Sequence, residues 1–161
     1  MRNPSLKPRE TLITVGETAP DFVLMTQNRE EWRLSDHVKK SDVVLCFYPL
    51  AFTDVCSAEM RCVSNDIESW SKKGMTVVGV SCDSFATNAA WAEKEGYTHT
   101  LLADMHREVC KAYGLYWADL NVASRGTMVI PKNEQGICKV AAVQGRPPGQ
   151  AMKWDEIMAL V

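Results

Sequence analysis

Hydrophobic residues along this chain fall into two alternating kinds of segment. Val43-Val44-Leu45-Cys46-Phe47-Tyr48 is an unbroken apolar run closed by Pro49, and Met75-Thr76-Val77-Val78-Gly79-Val80-Ser81-Cys82 repeats its character. Such runs suit strands covered on both faces, because side chains alternate across a strand and only a doubly buried one is apolar at every position. Gly126-Thr127-Met128-Val129-Ile130 and Ile137-Cys138-Lys139-Val140-Ala141-Ala142-Val143 add two more, and Asn133-Glu134-Gln135-Gly136 between them predicts a hairpin turn. Phe22 to Met25 and Glu31 to Leu34 predict a second hairpin at the amino-terminal edge.

Between the first two runs, Cys56, Met60, Val63, Ile67 and Trp70 recur at spacings of 4, 3, 4 and 3, one buried stripe of a helix with Cys56 at its head. Segments 88–95, 107–113 and 154–160 predict further helices. Strands alternating with helices and closing on a hairpin predict one α/β domain of thioredoxin-like fold, a central mixed β-sheet flanked by helices with an N-terminal β-hairpin. Residues 1–12 are polar and hold Pro4 and Pro8, which predicts a mobile or loosely docked arm ahead of a domain spanning 13–161.

Composition narrows the function. A chain of 161 residues buries a full core without disulfide staples, so its six cysteines need not be structural. Lys plus Arg number 18 against 20 Asp plus Glu, a net charge of −2, which lacks the basic excess that nucleic acid or an anionic membrane surface demands. The longest apolar stretch, Val43 to Phe52, falls well short of the ~18 residues that span a bilayer. The start of the chain lacks the apolar core of a signal peptide, so a cytoplasmic protein is expected. Cysteines 46, 56, 62, 82, 110 and 138 include no Cys-x-x-Cys pair, and His37, His99 and His106 show no ligand spacing, so neither a metal nor a cofactor is expected.

The chemistry concentrates where the first strand leaves the sheet. Pro49-Leu50-Ala51-Phe52-Thr53-Asp54-Val55-Cys56 runs from a strand's carboxyl end into a helix, the place where open α/β sheets put their sites. A thiol in the first helical turn faces unpaired backbone N–H groups and the positive end of the helix dipole, so Cys56 is expected to be an acidic, nucleophilic thiol. Thr53 stands three residues earlier, where its hydroxyl can reach that sulfur or an incoming oxygen. Pro49, without an N–H, can wall the pocket, and Asp54 either opposes the thiolate or caps the helix.

Pro49-x-x-x-Thr53-x-x-Cys56 resembles the active-site motif of the peroxiredoxins (AhpC/TSA type), and the likeness extends from Gly16 to Val161. Gly16-Glu17-Thr18-Ala19-Pro20-Asp21-Phe22 looks like the family's opening segment, Val78-Gly79-Val80-Ser81-Cys82-Asp83-Ser84 its next central strand, and Arg125-Gly126-Thr127 the segment with its active-site arginine. Phe47-Tyr48-Pro49-Leu50-Ala51-Phe52-Thr53 is most similar to the one-cysteine alkyl hydroperoxide reductase E subgroup. The resemblance implies a thiol peroxidase that reduces hydrogen peroxide and organic hydroperoxides through a Cys56 sulfenic acid. Pro49, Thr53, Val55 and Arg125 would bind substrate, and Glu59 would orient the arginine. It also implies a homodimer and a thiol reductant, either a thioredoxin- or glutaredoxin-like protein or a low-molecular-weight thiol.

A resolving cysteine is the open question in that scheme. Cys62 is six residues beyond Cys56, where a subgroup pairing along this helix uses five, and six residues place it about 240° around and ~9 Å along an intact helix. Cys82 and Cys110 match no resolving position that the likeness assigns, while Cys46 and Cys138 are expected to fill the core. The expectation is a one-cysteine cycle. The alternatives are a two-cysteine cycle using Cys62, Cys82 or Cys110, and a peroxide sensor or holdase with little turnover.

Overall fold

The computed structural model describes residues 1–152, 154 and 155. The predicted closing helix at 154–160 lies outside them apart from Trp154 and Asp155. Seven strands form one sheet in the order β2-β1-β5-β4-β3-β8-β9. Its centre is β3 (Asp42–Phe47) between β4 (Met75–Ser81), which runs parallel to it, and β8 (Arg125–Ile130), which runs antiparallel. The amino-terminal hairpin of β1 (Val23–Thr26) and β2 (Glu31–Arg33) adds to the edge of β5 (Thr100–Ala103), as expected. The sheet is mixed and flanked by helices, so the thioredoxin-like prediction holds.

The alternation of a doubly buried strand divides the core into two layers. Val43, Leu45 and Phe47 enter one layer, with Val78, Val80 and Cys82 from β4 and its end, and are covered by α1 (Leu34–Val38) and α5 (Glu108–Ala112). Val44, Cys46 and Tyr48 enter the other, covered by α2 (Asp54–Asn65), α3 (Ile67–Lys72) and α4 (Phe85–Glu95). Gly79 faces this second layer. A Cβ there would lie 2.8 Å from Leu101 Cδ2 and 2.9 Å from Met60 Sδ, so the missing side chain is what lets α2 approach the sheet.

Two elements differ from expectation. The stripe from Cys56 to Trp70 is two helices, because the chain leaves helical geometry at Asp66 (φ −100°, ψ 12°) before α3 begins. Trp70 remains buried, and Ile67 is only half-covered. The strand beside β8 is β9 (Ala142–Arg146), pairing Arg125 with Arg146 and Val129 with Ala142, so of the predicted run 137–143 only its end, from the Ala141 N–H onward, meets β8, and residues 137–140 do not. Residues 138–140 instead bond to the amino-terminal segment, where Ala19 N–H donates to the Cys138 carbonyl at 2.8 Å and Gly16 N–H to that of Val140 at 2.8 Å. Cys138 is therefore buried in a loop rather than in a hairpin strand.

Before the domain, Asn3 exchanges side-chain hydrogen bonds with the backbone of Val23, and Arg9 N–H donates to the Lys111 carbonyl. After α5, the short strands β6 (Tyr116–Trp117) and β7 (Val122–Ala123) form a separate ribbon that leads into β8.

Candidate active site

The loop from Pro49 to Thr53 joins the end of β3 to the start of α2, and Asp83 fixes it from the end of β4 by accepting the Ala51 N–H at 2.9 Å. Phe52 takes a left-handed conformation (φ 63°), a strained backbone for an aromatic residue that the anchored loop holds in place. Thr53 is the N-cap residue of α2. The amides of Asp54, Val55 and Cys56 fall in the helix's first turn and have no intrahelical acceptor. Cys56 is 1% exposed, with Met60 and Val63 below it on the same helical face.

Opposite that turn stands Arg125, the first residue of β8, itself only 2% exposed. Its guanidinium donates Nη2–H to Cys56 Sγ at 3.1 Å, Nε–H to the Pro148 carbonyl at 3.0 Å, and Nη1–H to the Glu59 carboxylate. Three fixed partners leave this side chain no rotational freedom. Glu59 also accepts from Arg146 Nη2 at 2.9 Å and from the Met152 N–H at 3.0 Å. Arg146 in turn donates to Thr127 Oγ1 at 3.0 Å.

A charge count follows from that geometry. Two buried guanidiniums share one buried carboxylate, which leaves one positive charge unbalanced, and the atom against that charge is the Cys56 sulfur. Uncompensated charge in a protein interior is costly, so this cluster is suited to meeting negative charge on its cleft side.

Pro49, Thr53, Val55, Cys56 and Arg125 come together on one cleft of about 400 Å³, whose far wall is Trp117, Leu120 and Pro148. Glu59 lies behind Arg125, within the core. Thr53 departs from expectation in one respect: its hydroxyl donates to the Leu50 carbonyl at 2.9 Å and leaves the sulfur to Arg125. Asp54 does not cap the helix, since the N-cap position belongs to Thr53 and no side chain bonds there. Of the aromatics near this loop, Trp91 is fully buried, whereas Phe52 is 45% exposed.

Arg146 and the Pro148 carbonyl escaped sequence reasoning as parts of the site. Arg146 reaches it only because β9 runs three residues past the apolar stretch that ends at Val143, and no local signal marks it.

The other cysteines lie apart from the cleft. Cys62 shares α2 with Cys56 but faces solvent. Burial pushes the Cys46 thiol well up, with Glu59 adding to the effect, and pushes that of Cys138 up to about 11. Cys82 and Cys110 sit in the opposite core layer from Cys56, their sulfurs 3.7 Å from each other.

Residues 15–137 match the AhpC/TSA family. The chain belongs to the peroxiredoxins. It is 31% identical over 153 residues to alkyl hydroperoxide reductase E of Mycobacterium tuberculosis, covering 92% of this chain and 97% of that protein. It is 38% identical over 157 residues to peroxiredoxin-2 of Cricetulus griseus, covering 91% of this chain and 77% of that one. Among solved structures, the peroxidoxin BcpB of Mycobacterium tuberculosis superposes with a TM-score of 0.79 at 28% identity, covering 91% of this chain and 93% of that one. The reduced 2-Cys peroxiredoxin of Plasmodium vivax gives 0.78 at 28%, over 89% and 78%. Like other peroxiredoxins, the chain is a thiol peroxidase, an oxidoreductase that acts on peroxide and is restored by a thiol reductant.

Proposed function

We propose that this peroxiredoxin works through a one-cysteine cycle at Cys56. The sulfur attacks one peroxide oxygen and the O–O bond breaks. The departing oxygen leaves with a proton as water or alcohol, and Cys56 becomes a sulfenic acid. Arg125 Nη2 and the first-turn amides of Val55 and Cys56 lie where negative charge grows on the breaking bond. The Thr53 hydroxyl, which donates its hydrogen bond to the Leu50 carbonyl, offers its oxygen as acceptor to a peroxide O–H. Pro49 closes one wall of the cleft, while Glu59 and Arg146 hold Arg125 in register.

The observation that carries this reading is the 3.1 Å contact between the Arg125 guanidinium and Cys56, combined with a cleft lined by no second cysteine among the described residues. The two cysteine sulfurs in mutual contact are Cys82 and Cys110, in the other layer of the core. Reduction therefore falls to an external thiol, which displaces water from the sulfenic acid, forms a mixed disulfide and is displaced by a second thiol. Hydrogen peroxide and organic hydroperoxides both fit an open, mostly apolar cleft. Leu50, Phe52 and Leu120 expose apolar surface beside it, which supports a homodimer through this rim.

One equivalent of hydroperoxide, followed by a sulfenic-acid trap and peptide mapping, tests the cycle. Gain of one oxygen on Cys56 is expected, and a Cys56–Cys62 disulfide would replace the one-cysteine reading with a two-cysteine one. Sedimentation of the reduced protein checks the dimer.

A further inference from the structure

Outside the peroxide cleft the described residues hold one other cluster of nucleophilic side chains. Cys82 follows the last residue of β4, and Cys110 lies on α5. The strand register brings them together: Ser81 pairs with Ala103, and Asp104 N–H donates to the Ser81 carbonyl at 2.8 Å, so Asp104 stands beside Cys82. Asp104 then accepts the backbone N–H groups of Val109 at 3.2 Å and Cys110 at 2.8 Å, which fixes the start of α5 against the strand ends. The two sulfurs meet at 3.7 Å, and the Asp104 carboxylate lies within 4.8 Å of both.

We propose that Cys82 and Cys110 form a second redox centre, a dithiol that hydroperoxide converts to an intramolecular disulfide independently of Cys56. Closing the sulfurs from 3.7 Å to a bond of about 2.05 Å takes less than 2 Å of motion, within reach of side-chain rotation. The steps balance with the peroxide that the enzyme already uses. Cys82, 9% exposed against 0% for Cys110, is the sulfur peroxide reaches, and it takes one oxygen while the other leaves as water or alcohol. The Cys110 sulfur then attacks the Cys82 sulfenic acid and the S–O bond breaks, while the Asp104 carboxylate is placed to take the Cys110 proton and pass it to the departing hydroxide, which leaves as water. One peroxide is reduced by two electrons and two thiols become one disulfide.

The bridge would tie together two segments that shape the cleft. Cys82 adjoins Asp83, which holds the Pro49–Thr53 loop through Ala51. The Cys110 carbonyl accepts the Leu115 N–H at 2.8 Å, just ahead of Trp117 on the cleft wall.

The test uses the whole protein, titrated with hydrogen peroxide, blocked with alkylating agent in denaturant and digested. A peptide joining Cys82 to Cys110, lighter by two hydrogens, that rises with peroxide and vanishes with dithiothreitol is expected, in the wild type and in Cys56→Ser alike. In Cys110→Ser, Cys82 should instead appear as a trap-reactive sulfenic acid. Complete alkylation of both cysteines at peroxide levels that overoxidise Cys56 would overturn the proposal. So would one tightly held zinc ion per chain that shields both thiols, since the same three side chains would then be metal ligands.

Discussion

Cys56 and Cys46 occupy the same core layer and are equally buried, at 1% exposure each. Their surroundings separate them. Cys46 lies mid-strand in β3, where burial and then the negative Glu59 push its thiol well above the ordinary range. Cys56 lies at a helix start and receives an N–H from Arg125, on the side of the buried cluster with the unbalanced positive charge. Burial by itself penalises the charged form of a thiol, and of these two cysteines only Cys56 has a fixed guanidinium against its sulfur. The difference between the two cysteines is thus a matter of which charged group stands against the sulfur.

The largest test of that contrast removes each sulfur in turn. Cys56→Ser should lower peroxide reduction by at least ~10³-fold, the usual consequence of losing a nucleophile, while Cys46→Ala should keep the rate within about threefold. Comparable losses in stopped-flow peroxide assays would erase the distinction.

Arg125 supplies the second test. Arg125→Gln should cost about 10²–10³-fold in kcat/KM, the scale for one donor to a developing oxyanion, and Arg125→Lys should fall between, since a point charge cannot hold sulfur, Glu59 and Pro148 together. A lysine variant as poor as the glutamine one would show that geometry, rather than charge, separates the two cysteines.

Glu59→Gln acts one step further back. It leaves two buried guanidiniums without their shared anion, so a loss of about 3–5 kcal/mol in urea-unfolding stability is expected, with roughly tenfold lower kcat/KM from a misplaced Arg125. Stability loss with unchanged kcat/KM would make the carboxylate purely structural.

The smallest test asks what burial does to a titratable group with no counter-charge. His99, packed on Met60, is lowered to about 4 by burial, so the folded protein holds it neutral while the unfolded chain takes up a proton below about 6.5. The stability it contributes is present above that pH and drains away as pH falls toward 4, on the order of 3 kcal/mol in all. Urea midpoints at neutral pH and at about pH 4.5 should diverge less in His99→Gln than in the wild type.

The fold was largely legible because its central strands are doubly buried and so carry unbroken apolar runs. The failures occurred where two partners compete for one extended segment. Residues 138–140 alternate buried and exposed like a strand, and that pattern is real, but their backbone bonds run to the segment 16–19, and pairing with β8 begins only at Ala141 and Ala142. β9, an edge strand whose central residues Val143, Gln144 and Gly145 are partly exposed, carries too weak an apolar signal to compete. Asp66 interrupts α2 and α3 without a proline or glycine to announce it, and buried Trp70 continues the stripe across the break.

The same division runs through the chemistry. Sequence alone placed the candidate thiol, because a strand ending at Pro49 and a helix beginning after Thr53 put Cys56 in the first turn whatever the rest of the chain does. Thr53, Pro49 and Val55 came with it, being fixed by the same short loop. Which charges stand over the sulfur was decided in three dimensions: Arg125 comes from a strand 69 residues away, Arg146 from that strand's neighbour, and Glu59 is the anion both share. Likewise Cys82 and Cys110 match no pattern along the chain and meet only because parallel β4 and β5 end side by side. Local spacing sets which way a side chain faces, and strand register sets what it faces, because register is a property of two segments at once.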